Sequence, residues 1–138
     1  MSEIKVDTLT GKTTANDITV TVGATATQSL EQGLAKTWVN FNGTGTIAAD
    51  DSLNLSSLSD GGTGLYDINV TSAFARTNHC STGSIIGDGS TSNRSYALVA
   101  SISSNTTSKI DIATVNANVT EAYRDYANIS VADFGDLA

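Results

Sequence analysis

Apolar and polar positions alternate with a period of two over most of the chain. Ile18, Val20 and Val22 are separated by Thr19 and Thr21, and Tyr66, Ile68 and Val70 by Asp67 and Asn69. Trp38-Val39-Asn40-Phe41 is aromatic and β-branched, and Leu53-Asn54-Leu55 alternates. Tyr96, Leu98, Ala100 and Ile102 share one side of a longer run, and Ile110 with Ile112, then Ile129 with Val131, complete the series. Successive side chains of a strand point to opposite faces, so each run predicts a half-buried strand. Asn42-Gly43-Thr44-Gly45, Asp60-Gly61-Gly62-Thr63-Gly64 and Gly87-Asp88-Gly89-Ser90 lie between the runs as turns. Asn-Gly suits positive φ at both central positions of a two-residue hairpin turn. Short strands recurring at about 8–12 residues predict an all-β fold. The expectation is an antiparallel β-sandwich, or a jelly-roll-like variant, over residues 37–138. Its expected core is Trp38, Phe41, Tyr66, Ile68, Leu98 and Ile112.

The first 36 residues read differently. Residues 1 to about 24 are polar, with small alternating runs at Ile4 and Val6 and at Ile18, Val20 and Val22, joined by the turn-like Leu9-Thr10-Gly11-Lys12-Thr13-Thr14. This segment is too lean to form its own globule and reads as an extended arm that must pair with something. Residues 25–36 hold the one helix candidate. Thr25 and Gln28 have capping-box spacing, and Leu30 and Leu34 share a face. Gly33 costs up to about 1 kcal/mol there, and so short a helix is marginal alone in water. It would pack on the following domain or on copies of itself about a symmetry axis. The expected organisation is an attachment arm with a short helix over residues 1–36, then a knob over residues 37–138.

Composition narrows the function. Charged residues are 15% of the 138, against about 25% in an ordinary globular domain. The net charge is -7, with 7 Lys and Arg in all, scattered along the chain. Phosphate neutralisation needs basic residues, so a nucleic-acid partner is disfavoured, as is docking on an anionic membrane. No apolar stretch nears the roughly 20 residues that span a bilayer, so membrane insertion is not expected. The start Met1-Ser2-Glu3-Ile4-Lys5 lacks the pattern of a signal peptide, which implies synthesis and assembly in the cytoplasm. One cysteine, Cys80, allows no intrachain disulfide. With one Trp, four Tyr and three Phe the core is thin, and a multimer would bury more surface per subunit.

Candidate chemistry is sparse. His79 is beside Cys80, but adjacent strand residues face opposite ways and a nucleophilic pair must converge. The expectation is a strand-end polar residue beside a buried thiol. Asp50-Asp51 and the Asp88 loop lack the alternating ligands and central glycine of a calcium loop and read as turn chemistry. Asp111, Asp125 and Asp133 define no acid/base pair by spacing. Asn-x-Ser/Thr triplets recur at Asn42, Asn54, Asn69, Asn118 and Asn128. Alternation in a Ser/Thr/Asn-rich sheet generates them without glycosylation. Gly43-Thr44-Gly45 lacks the Lys and helix of a phosphate-binding loop. No catalytic, cofactor-binding or metal-ligating residue is assigned.

One combination of runs is distinctive. Trp38-Val39-Asn40-Phe41-Asn42-Gly43-Thr44-Gly45-Thr46 is followed by Asp51-Ser52-Leu53-Asn54-Leu55-Ser56-Ser57-Leu58, then by Asp60-Gly61-Gly62-Thr63-Gly64-Leu65-Tyr66-Asp67-Ile68-Asn69-Val70. In this order they resemble the tail-fibre-like domain of marine podoviruses and cyanophages. Ser2-Glu3-Ile4-Lys5-Val6-Asp7, Gln32-Gly33-Leu34-Ala35-Lys36 and Ile129-Ser130-Val131 resemble other parts of that family. Its last strand usually stays apolar before Phe-Gly, where this chain has Asp133. The resemblance is good over residues 30 to 72 and loose elsewhere. It implies a non-enzymatic virion component, a homotrimer docked to other virion proteins through its arm. The expected interface is Leu30, Leu34, Ile18 and Val20. Two alternatives stay open. One is a tip that binds host surface polysaccharide, with Tyr66, Tyr123 and Tyr126 as contacts. The other is a capsid decoration or head-fibre protein.

Overall fold

The computed structural model describes residues 4–12, 18–22, 25–86, 96–100, 105–116 and 122–138. The side chains of Val22 and of residues 96–100 lie outside the description, so the expected core position of Leu98 does too. The same holds for the Asp88 loop, Ile102 and the Asn118 triplet. The chain divides into two units, Met1–Leu34 and Ala35–Ala138.

The first unit contains an antiparallel hairpin of β1 (Thr19–Val22) and β2 (Ala26–Ser29), in the register Thr19↔Ser29 to Val22↔Ala26. The helix expected over residues 25–36 is not formed. Thr27 lies directly opposite Thr21, a cross-strand pair of β-branched residues that favours the sheet. The Leu30 N–H donates to the Ile18 carbonyl at 2.7 Å and extends the ladder. Only one helix-like turn follows: Gly33 N–H donates to the Ser29 carbonyl and Leu34 N–H to the Glu31 carbonyl. The alternating threonines win over a nucleus that would have had to propagate through Gly33.

The second unit is an all-β, antiparallel sandwich. Its strands are β3 (Thr37–Asn42), β4 (Ala48–Leu53), β5 (Leu55–Gly62), β6 (Leu65–Val70), β7 (Cys80–Ile86), β8 (Tyr96–Ala100), β9 (Lys109–Asn116), β10 (Ala122–Tyr123) and β11 (Asn128–Phe134). One sheet has the order β4-β3-β11-β7. In the other, β5 pairs with β6, β6 with β9, and β9 also pairs with β8 and, at its last two residues, with β10. The last strand thus returns beside the first strand of the unit. A single residue, Asn54, carries the chain from β4 in one sheet to β5 in the other.

Alternation decides which side chains meet. Val39 and Phe41 on β3 and Ile129 and Val131 on β11 point inward from one sheet. Tyr66, Ile68 and Val70 on β6 and Ile110 and Ile112 on β9 point inward from the other. Together with Phe74 and Tyr126 they form one buried cluster. Phe41 and Tyr66 meet edge to face, with ring centroids 5.2 Å apart. Four expected core residues, Phe41, Tyr66, Ile68 and Ile112, are fully buried. Trp38 is not. It shares the outer face of β3 with Asn40 and is half-buried, because Val39 and Phe41 occupy the inner face.

The turn after β3 also differs from expectation. Asn42 and Gly43 do not have positive φ; that falls on Gly45, at 67°. Asn42 Oδ1 instead accepts from the Thr44 N–H at 2.8 Å and its hydroxyl at 2.7 Å, and the loop runs over residues 43–47 before Ala48 pairs with Asn42. Gly43 is required for space: a Cβ there would lie 2.4 Å from the Tyr66 hydroxyl.

Candidate functional site

Two polar clusters lock the sandwich. In the first, the Tyr66 hydroxyl is 2.8 Å from Asp125 Oδ1 and 3.1 Å from the Gly43 carbonyl. The Gly64 N–H donates to the same Asp125 oxygen at 2.6 Å. Burial, and then the Asp125 hydrogen bond and charge, push the Tyr66 phenol well above its ordinary value. It is held as a neutral donor. The expected ligand contacts therefore separate. Tyr66 and Tyr126 are buried in the core, and of the three only Tyr123 is exposed. Arg124 sits over the Tyr126 ring at 5.6 Å.

The second cluster holds His79. Its side chain is buried, and its ring stacks on Phe74 with centroids 4.4 Å apart. His79 Nδ1 is 2.6 Å from Asp133 Oδ1, and the Ser81 hydroxyl donates to Asp133 Oδ2 at 2.7 Å. His79 Nε2 has no hydrogen-bond partner among the described residues. That places the donated proton on Nδ1, since a proton on Nε2 would be buried without an acceptor. The carboxylate stands between the hydroxyl and the imidazole, so His79 is not placed to take the Ser81 proton. Burial raises the Asp133 carboxyl above its ordinary value, and the Ser81 and His79 interactions partly offset this. Cys80 is exposed, correcting the expectation of a buried thiol, while its neighbour His79 turns inward. The pair diverges, as strand alternation requires.

The remaining carboxylates are dispersed. Asp50 and Asp51 are exposed on β4, at the bulge opposite Asn40 and Phe41. Asp111 faces Asp67 across β9 and β6, and Lys109 pairs with Asp67 at 3.0 Å. Among the described residues no group of three or more His, Cys, Asp or Glu could hold a metal ion.

Two surfaces remain. The first is a set of exposed apolar side chains on the amino-terminal unit. Ile4, Val6, Leu9, Val20 and Leu34 are each between 41% and 86% exposed. Of the expected interface residues, Val20 and Leu34 are thus exposed, and Ile18 and Leu30 are partly buried. The second is an open trough of about 420 Å³ on the outer face of β4-β3-β11-β7. Sequence reading missed it, placing Trp38 in the core. The signal was present, because Trp38 and Asn40 are two apart and opposite in phase to Val39 and Phe41.

No family model, curated protein or solved structure matches the chain.

Proposed function

We propose that the chain is a non-enzymatic structural subunit of a bacteriophage fibre or appendage. In this reading a β-sandwich knob is carried on an amino-terminal arm that forms a homotrimer and docks to other virion proteins. The observation that carries it is the contrast between the two units. The second buries a continuous core of its own. The first leaves Ile4, Val6, Leu9, Val20 and Leu34 in water. Covering a large apolar side chain contributes about 1.5–3 kcal/mol, so five of them between Ile4 and Leu34 favour a covered, assembled arm. The trimer and the phage particle rest on the resemblance of residues 30 to 72 to tail-fibre-like domains.

Light scattering of the full chain tests the assembly. The expected mass is three times 14.2 kDa. Val20→Asp with Leu34→Asp should reduce it to the monomer, because charge would be buried without partners. A monomeric wild-type protein would refute self-assembly through the arm.

A further inference from the structure

We propose that the trough on the outer face of β4-β3-β11-β7 is a binding site for a neutral carbohydrate, with Trp38 as its platform. The inference goes beyond the assembly reading and does not depend on it.

The register builds the trough. Ser130 and Ala132 are the outward residues along the middle of β11, and both are small. On one side β3 sets Asn40 opposite Ser130 and Trp38 opposite Ala132. On the other side β7 sets Ser84 opposite Ser130 and Thr82 opposite Ala132. A low floor therefore runs between an aromatic wall and a hydroxyl wall. Its volume, about 420 Å³, lies within the roughly 300–1,000 Å³ of small-molecule clefts.

The lining selects the ligand class. A half-buried indole offers a flat apolar surface. That suits the C–H face of a pyranose ring. Asn40 Nδ2 donates to the Ser130 hydroxyl oxygen at 2.7 Å, which fixes both groups. Asn40, Ser130, Thr82 and Ser84, which carry an amide and three hydroxyls, all line the trough. Closely spaced donors and acceptors of this kind match vicinal sugar hydroxyls. Charge excludes acidic ligands. Among the described residues no Lys or Arg lines the trough, Asp51 lies opposite Asn40, and the chain carries -7 overall. A phosphate, sulfate or uronate would be repelled.

Trp38 is the one tryptophan, so its emission reports directly on the trough. The experiment titrates the full chain with trisaccharides of glucose, mannose, galactose and N-acetylglucosamine, and with trigalacturonate. The expected result is a saturable change in emission with at least one neutral sugar, and at least tenfold weaker binding of the uronate. Ser130→Leu, which fills the floor, should weaken the neutral sugar at least tenfold. Thr82→Val should weaken it severalfold at an exposed position that the fold does not need. Light scattering on the same samples separates this result from the assembly reading, because both variants should keep the wild-type mass. No saturable change with any neutral sugar would overturn the proposal. So would equal binding by Ser130→Leu and Thr82→Val, or emission that follows protein concentration instead of sugar, which would make the trough a contact between copies.

Discussion

The Tyr66 hydroxyl reaches Asp125 Oδ1 at 2.8 Å directly above Gly43, whose missing side chain makes the approach possible. Two of the distinctive runs in the sequence thus meet at one atom. Tyr66→Phe should cost about 1–3 kcal/mol, since Asp125 and the Gly43 carbonyl lose a buried donor. Gly43→Ala should cost about 1–3 kcal/mol by overpacking. The two effects should not add. Removing the hydroxyl relieves the closest contact, so Gly43→Ala should cost less in a chain that already carries Tyr66→Phe. Urea denaturation of the two single variants and the double variant gives the coupling directly. Strict additivity would show that the contacts left behind, with Tyr66 Cζ and Ile129 Cδ1, set the cost and not the hydroxyl.

Asp133 predicts a pH dependence. Its carboxyl is raised by burial, above the roughly 3.9 of an unfolded Asp. A raised folded-state value means that its contribution is complete below about pH 3.9 and declines as pH rises through the raised value. Asp133→Asn keeps an acceptor for His79 Nδ1 but cannot ionise. The stability of wild type relative to this variant should therefore fall as pH rises from below about 3.9 into the neutral range. Thermal denaturation across that window measures it. A difference that grows with pH would mean that the Ser81 and His79 hydrogen bonds outweigh burial.

Much of the sandwich was legible because period-two alternation is a local property. Tyr66-Asp67-Ile68-Asn69-Val70 is the clearest case: its three apolar residues are buried and its two polar ones are not. The same rule, applied within Trp38-Val39-Asn40-Phe41, puts Trp38 outside. Size and hydrophobicity argued for the core, and phase decided otherwise. Residues 25–36 failed for a different reason. Leu30 and Leu34 have helical spacing, but β1 offers Ala26-Thr27-Gln28-Ser29 a ready ladder, and that competition is not visible within the segment itself. The clusters about Asp125 and Asp133 were illegible, since Tyr66 and Asp125 are 59 residues apart and His79 and Asp133 are 54 apart. Spacing cannot announce a contact that only the sandwich makes.

Asn54 predicts an ordered pair of substitutions. It has φ of 59°, a conformation few residues other than glycine adopt readily. Its side chain clamps Ser72, accepting from the Ser72 N–H at 2.7 Å and donating to the Ser72 carbonyl at 3.0 Å. Asn54→Gly keeps the backbone and loses the clamp, which should cost about 1 kcal/mol. Asn54→Ala loses the clamp and adds about 1–2 kcal/mol of left-handed strain. Chemical denaturation should rank wild type above Asn54→Gly, and Asn54→Gly above Asn54→Ala. Equal stability of the glycine and alanine variants would show that the corner relaxes.

Gly64 should be the least replaceable residue of the β5–β6 turn. Its φ is 67°, and a Cβ would lie 2.6 Å from both the Arg124 nitrogen and the Thr114 carbonyl oxygen. Both neighbours are backbone, and both are tied. Thr114 N–H donates to the Gly64 carbonyl at 2.8 Å, Arg124 N–H donates to the Thr114 carbonyl at 3.0 Å, and the Thr114 hydroxyl donates to the Arg124 carbonyl at 2.6 Å. Neither can retreat without breaking a bond. Gly64→Ala therefore combines about 1–2 kcal/mol of left-handed strain with about 1–3 kcal/mol of overpacking. It also disturbs the Gly64 N–H bond that helps fix Asp125 beneath Tyr66. Gly45→Ala is the matched control, with the same φ of 67° and open space around its Cβ. It should cost only the strain, about 1–2 kcal/mol. The melting temperature of Gly64→Ala should lie clearly below that of Gly45→Ala. If the two variants melt together, the close approach of Thr114 and Arg124 to the hairpin turn contributes nothing, and strain alone explains both.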